Sequence, residues 1–205
     1  APDLPIHAST QMSVHSLDGV KLCADLGMTR VVLSRELSAD AIADLCARSP
    51  VELEVFGHGA LCMCVSGQCY LSSMIGERSG NRGLCAQPCR LKYGWGAKAD
   101  AYPLSLKDMS LAGRLRELED MGVACLKLEG RMKRPEYVAA VTRVYRSAID
   151  GAQVTQEMID TLYKAFNRQG FTNGYYLGKV TPRMFGIHED EPEDTQFLQT
   201  VRQSY

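Results

Sequence analysis

The chain has 205 residues and a mass of 22.6 kDa, with 45% apolar residues, 23% charged residues and a formal net charge of -1. These values suit one ordinary globular domain or a piece of a larger protein, and they exclude disorder, collagen and coiled coil. The near-zero charge excludes a globally basic nucleic-acid binder but leaves room for a local basic groove.

In chain order, strand-like runs alternate with amphipathic segments four times. Ile6 to Met12 reads as a strand and Leu17 to Leu26 as a helix stopped at Gly27. Arg30 to Arg35 is the second strand, and Ser38 caps a helix from Ala39 to Arg48 that Pro50 closes. Val51 to Phe56 is the third strand. After a long insertion, a helix starting at Ser105 or Asp108 is expected to run to Met121, with Gly122 as its stop. Val123 to Glu129 is the fourth strand, and Pro135 opens a helix to about Ile149. Gln156 to Phe166 reads as one more helix, followed by a Gly- and aromatic-rich segment. The acidic run Glu189, Asp190, Glu191, Glu193 and Asp194 reads as a solvated connector.

No stretch approaches about eighteen apolar residues, so no membrane span is expected. The opening residues APDLPIHAST show neither a basic n-region nor an apolar h-region, so no secretory signal is read and a cytoplasmic location is expected.

Strands alternating with helices imply an α/β fold with a parallel sheet. The strands are not wholly apolar, as fully buried parallel strands would be. The third sets Val51, Leu53 and Val55 against Glu52, Glu54 and Phe56. The fourth sets Leu126 and Leu128 against Lys127, Glu129 and Arg131, and the first groups His7, Ser9 and Gln11. A barrel would turn the apolar set to its helices and the charged set to its mouth. The expected fold is therefore the C-terminal half of a (β/α)8 TIM-like barrel over residues 1–150. It carries a cysteine-rich insertion at 57–104, with a C-terminal extension and acidic linker at 151–205. The missing N-terminal half-barrel is its expected partner, since half a barrel leaves open sheet edges.

Five of the eight cysteines crowd between Cys62 and Cys89, directly after the third strand, where this architecture places its chemistry. Without a secretory signal, clustered thiols read as metal-binding or catalytic more readily than as disulfides. Cys62, Cys69, Cys85 and Cys89 follow the spacing C-x6-C, C-x15-C and C-x3-C on a glycine-punctuated loop. An iron–sulfur cluster tolerates such spacing. Structural zinc prefers two tight knuckles, and only Cys85 and Cys89 make one. Disulfides, redox thiols and inert cysteines stay open.

Lys127, Glu129 and Arg131, with Glu54, are candidate catalytic residues. Lys and Arg at a barrel mouth hold a dicarboxylate or phosphate and Glu orients them; a structural ion network is the plainer alternative. Gln11, Arg35, His58, Arg78 and Arg90 are candidates for substrate contact. Arg78, Arg82, Arg90, Lys92 and Lys98 surround the cysteine loop, and Arg131, Lys133, Arg134, Arg143 and Arg146 follow the fourth strand. Either patch suits RNA phosphates, with Tyr93 and Trp95 stacking on a base, or is simply solvated. His58, four residues before Cys62, also allows a Cys–His nucleophilic pair, although no third orienting group is visible.

The segments LEVFGHGALC, GQCYLSS, RSGNRGLCAQPCR and LKLEGRMKRPEYVA resemble the peptidase U32 family, the collagenase-like peptidases, with Glu54, Phe56, Gly59, Cys62, Cys69 and Ser72 matching its core signature. The resemblance runs from IHASTQMS to FNRQGFTNGYYLGK. It implies hydroxylation of a pyrimidine in tRNA or 23S rRNA, with prephenate linked as hydroxyl source, or a partner role in ubiquinone hydroxylation. It also implies a [4Fe–4S] cluster (zinc being the alternative) on Cys62, Cys69, Cys85 and Cys89. Cys125 is the substitute for the fourth ligand, and Cys64 lies outside the motif.

Overall fold

A computed structural model describes residues 3–95, 98–188 and 194–204. In chain order the elements are β1 (His7–Ala8), α1 (Leu17–Asp25), β2 (Arg30–Val32), α2 (Ala39–Arg48), β3 (Glu52–Ala60), α3 (Leu71–Gly76), β4 (Tyr93–Trp95), β5 (Lys98–Ala101), β6 (Asp108–Ser110), α4 (Leu115–Asp120), β7 (Cys125–Leu128), α5 (Pro135–Ile149), α6 (Gln156–Ala165), β8 (Phe171–Thr172) and α7 (Thr195–Arg202). The side chains of Trp95 and Lys98, and Glu189, Asp190, Glu191 and Glu193 of the acidic run, lie outside the described residues.

The helices form where capping and spacing agree. Ser16, Ser38 and Thr155 each accept a hydrogen bond from the amide three residues on, closing the first turns of α1, α2 and α6. Pro135 opens α5, where its missing N–H costs nothing. α2 buries Ile42 and Leu45, and α5 buries Tyr137, Val141, Val144 and Tyr145, all on one helical stripe. Among the described residues no helix is long and apolar enough to cross a membrane.

β1, β2, β3 and β7 pair in parallel, with β3 between β2 and β7. β6 then returns antiparallel along the far end of β3, matching His58 to Ser110 and Ala60 to Asp108, and β8 adds to β6 in parallel. The result is a mixed, mostly parallel sheet, and among the described residues no barrel closes. The expected helix from Ser105 or Asp108 to Met121 is replaced by β6, a 3-10 turn at Ala112–Arg114 and the short α4. The reason lies in the ladder: β3 runs on to Ala60, past its expected end at Phe56 and past its last pairing with β2 at Glu54, so the edge opposite β7 needs a new partner there, and β6 supplies it. The segment expected as a C-terminal extension contributes β8 to this same sheet.

One apolar cluster fills the space between the sheet and α1 and α2; a second joins α5 and α6 around Tyr137, Val141, Tyr145 and Leu162, and Leu126 packs against both. The charged face expected of β3 is mostly covered. Glu52 stays exposed, but Glu54 and Phe56 are buried.

Candidate functional site

A cleft of about 650 Å³ opens at the C-terminal ends of the parallel strands. Its walls come from the turn after β1, the end of β2, the loop after β3 and the β7–α5 connection, joined by Leu104 before β6 and Arg168 after α6. Binding residues gather at such strand ends because the loops there diverge and leave a crevice.

β3 delivers Cys62 just past its last residue. The loop is then held against neighbouring strand ends by polar contacts. Ser66 donates from its backbone and hydroxyl to the Glu36 carboxylate, and its carbonyl accepts from the Ser13 hydroxyl at 2.5 Å. Gly67 sits at φ +79°, and a Cβ there would lie 2.7 Å from the Gln11 carbonyl oxygen, so only glycine lets the loop approach this closely. Farther along, Ser72 accepts from the Ala86 amide and Asn81 donates to the Gly67 carbonyl.

These contacts bring Cys62, Cys69, Cys85 and Cys89, together with Cys64, to the cleft wall. All are free thiols, none fully buried. Their sulfurs meet hydrogen-bond donors: Cys85 accepts from the Gln87 amide at 3.3 Å and faces the Ser72 hydroxyl at 3.8 Å, and backbone amides at Cys64 and Met63 point to Cys62 and Cys89. Burial pushes the Cys62 thiol up to about 11 and also raises Cys89, while the Arg35 and Arg90 guanidiniums pull them down. The donors therefore suit thiolates, provided a bound cation or cluster supplies the remaining stabilisation. Among the described residues no three metal-ligating side chains converge on a point where one ion would sit. Cys125 is outside the cleft; it lies on β7 opposite Glu54, beside Arg30 and Lys127.

The other expected site residues divide. Gln11, Arg35, Arg90, Lys127, Glu129 and Arg131 all line the cleft. The Arg35 guanidinium lies 3.6 Å over the Phe56 ring and 3.5 Å from Glu129. Lys127 pairs with Glu54 at 2.8 Å, and Arg30 approaches Glu54 at 3.8 Å, so Glu54 is a buried counter-charge outside the cleft lining. Arg90 donates to Ser105 Oγ and to the Leu106 and Leu61 carbonyls. Arg78 is also outside the cleft and donates to the Leu84 carbonyl.

His58 corrects the Cys–His reading. Its ring is 1% exposed, among Tyr137, Tyr145 and Phe171, with Nδ1 3.3 Å from the Tyr145 hydroxyl. It faces the core although Phe56, two residues earlier, lines the cleft, because the β3–β7 register shifts between them, and Cys62 lies beyond the strand. Burial, then the Lys133 charge, push its imidazole down to about 4.

Lys133, expected only as one of the basic residues after the fourth strand, meets two residues that the sequence did not single out, Arg168 and Phe166, at the inner cleft. Lys133 and Arg168 line it, and both cations lie over the Phe166 ring. Lys133 was visible only as one charge in the GRMKR run. Phe166 ends the expected helix from Gln156 and Arg168 lies in the Gly- and aromatic-rich segment after it, so only chain return shows where they go.

The comparisons extend the same picture. Similar proteins include the tRNA hydroxylation protein P1 of Bacillus subtilis (strain 168), 32% identical over 237 residues that cover 100% of this chain and 56% of the relative. The 23S rRNA 5-hydroxycytidine C2501 synthase of Escherichia coli (strain K12) is 40% identical over 155 residues, 73% of this chain and 24% of that protein. A collagenase of Porphyromonas gingivalis (strain ATCC BAA-308 / W83) is 37% identical over 200 residues, 85% of this chain and 48% of the relative. The chain thus spans about half the length, or less, of these curated relatives. No solved structure matches it. The model of peptidase family U32 matches residues 1–185, a stretch that holds every strand of the sheet and the whole cysteine-lined cleft, and the chain belongs to that family.

Proposed function

We propose that this chain supplies the cofactor-bearing half of an enzyme that hydroxylates a pyrimidine base of tRNA or 23S rRNA. Cys62, Cys69, Cys85 and Cys89 hold a [4Fe–4S] cluster, and the positively charged cleft beside them takes a small carboxylate such as prephenate as hydroxyl source. One observation carries the reading: four cysteines separated by up to fifteen residues line one cleft, and three of their sulfurs already face backbone amides. A dispersed thiol set around a cleft suits an object larger than a single ion. The similarity to RNA hydroxylation proteins of two organisms supports the substrate class. When bound, the cluster would supply electron transfer or Lewis-acid chemistry. The residues of the chain hold it, exclude water on the Phe56 side and present cations to anionic groups. RNA would approach over the exposed Arg78 and Arg82 of the cysteine loop, where their charges meet phosphates.

The test uses the full-length protein purified without oxygen. About four irons and four acid-labile sulfides per chain are expected. Cys69→Ser is expected to remove both, and to abolish the 5-hydroxypyrimidine signal in RNA from a complemented deletion strain. One zinc with no sulfide, or modified RNA persisting without iron, would overturn the reading.

A further inference from the structure

The inner cleft holds more positive charge than its own carboxylates balance. Six cations line it: Arg35, Arg90, Lys127, Arg131, Lys133 and Arg168. Three are paired, Arg35 with Glu129, Lys127 with Glu54, and Arg168 with Asp108. Arg90 spends its donors on the hydroxyl and carbonyls already named. Among the described residues, Arg131 and Lys133 have no ion pair. Arg131 is exposed at the rim, where its guanidinium lies against Gly83. Lys133 is half-buried inside, sharing the Phe166 ring with Arg168, whose Cζ is 4.8 Å from the ring centroid.

Like charges crowded into a partly desolvated wall repel strongly, and an anion between them relieves that repulsion. We propose that Lys133 and Arg168 form an oxyanion seat in the inner cleft that takes the carboxylate of a small co-substrate. The proposal rests on the reading of the cleft as a hydroxylation site, and it assigns the seat to residues other than the Lys127, Glu129 and Arg131 set. Lys127 is engaged by Glu54, Glu129 by Arg35, and Arg168 by Asp108 through Nη1 alone, which leaves Lys133 as the interior cation without an ion pair among the described residues and Arg168 with the nitrogens that Asp108 does not take. The seat is too enclosed for a chain phosphate of RNA, because Arg168 is 6% exposed. A terminal carboxylate on a small molecule reaches it. Phe56, Leu61 and Leu128 add apolar surface to the same cleft, which suits an organic anion over a hydrated inorganic one.

A consequence separates this seat from a merely basic wall. Burial, followed by the Arg168 and Arg90 charges, pushes the Lys133 ammonium down to about 7, while Asp108 and Glu129 pull it up. Beneath it lie the neutral imidazole of His58 and the phenol of Tyr137, the latter also in ring contact with Lys133. A carboxylate arriving in the seat favours the charged form, so near neutral pH its binding draws a proton onto Nζ.

The experiment is calorimetric titration of the full-length protein, purified without oxygen, with sodium malonate or inorganic phosphate at constant ionic strength. Two buffers of different ionisation enthalpy read the proton count. Saturable malonate binding with proton uptake is expected. Lys133→Met is expected to weaken it about tenfold or more and remove the uptake. Lys133→Arg, always charged, is expected to stay within about threefold while also losing the uptake. Absence of saturable binding, or Lys133→Met binding malonate like the parent, would overturn the seat. Phosphate binding tighter than malonate with the same Lys133 dependence would overturn its assignment to a carboxylate. Iron and sulfide are measured on the same samples. A Lys133→Met protein that keeps its cluster and its RNA modification would sink the seat alone, whereas a parent protein without iron would sink the hydroxylation reading whatever the calorimetry shows.

Discussion

His58 is a titratable side chain placed where it cannot afford a charge. Its Nε2 has no hydrogen-bond partner among the described residues, and its ring is surrounded by aromatic faces. The folded state holds it neutral to about pH 4, while in the unfolded chain it takes up a proton below its ordinary value near 6.5. Its contribution is therefore complete above about pH 6.5 and is lost as the pH falls from there towards 4, by roughly 3 kcal/mol in all. His58→Phe removes the unsatisfied nitrogen while keeping a ring for Tyr145 to pack on. We expect it to leave stability at neutral pH unchanged or slightly raised, and to flatten the loss between about pH 6.5 and 4. Denaturant titrations of both proteins at several pH values check this. A parallel decline in the two would show that other groups set the acid limb.

At the scale of elements, β3 organises the molecule. One edge pairs with β7 as far as His58, across a register shift after Phe56, and the other passes from β2 to β6 beyond Glu54. Gly59, at φ +115°, lies close against the β7–α5 connection: a Cβ there would meet the Glu129 carbonyl oxygen at 2.6 Å. Gly59→Ala is expected to force β3 away from the β7–α5 connection and to cost at least about 2 kcal/mol in thermal unfolding, against a few tenths for Gly113→Ala, whose Cβ meets nothing. The same strand shows what a sequence can and cannot tell. The caps at Ser38 and Pro135, and the stripes on α2 and α5, are local, and the helices begin where those residues place them. The cysteine motif is local too, so the cleft was legible from spacing and resemblance. The partner of β3 beyond His58 is not local. It depends on residues some fifty positions later, within a run whose Leu106, Met109, Leu111 and Leu115 spacing reads as helical. His58 was misplaced for a related reason: its proximity to Cys62 in sequence says nothing about which side of a strand it faces.

For the whole molecule, the decisive contact is the buried pair of Asp108 and Arg168. Nη1 of Arg168 reaches both carboxylate oxygens at 2.7 Å, and the two side chains are 2% and 7% exposed. This pair fastens the segment after α6 to β6, and with β8 it makes the C-terminal third part of the same sheet. Asp108→Asn leaves a guanidinium buried without its counter-charge, and we expect a loss of about 3–5 kcal/mol, read by denaturant unfolding. Survival of full stability would mean that solvent reaches Arg168 freely.

The antiparallel match of Ala60 with Asp108 has a broader meaning. The chain leaves the sheet at Leu61 and comes back at Lys107 beside its own point of departure, and Arg90 bridges the two sides by holding the Leu61 and Leu106 carbonyls at once. Everything between is a cassette closed at its base, so evolution is free to lengthen, shorten or replace it without re-pairing a single strand. The thiols thus hang from one closure, while the cations that face them across the cleft belong to the sheet's own strand ends and to the segment after α6.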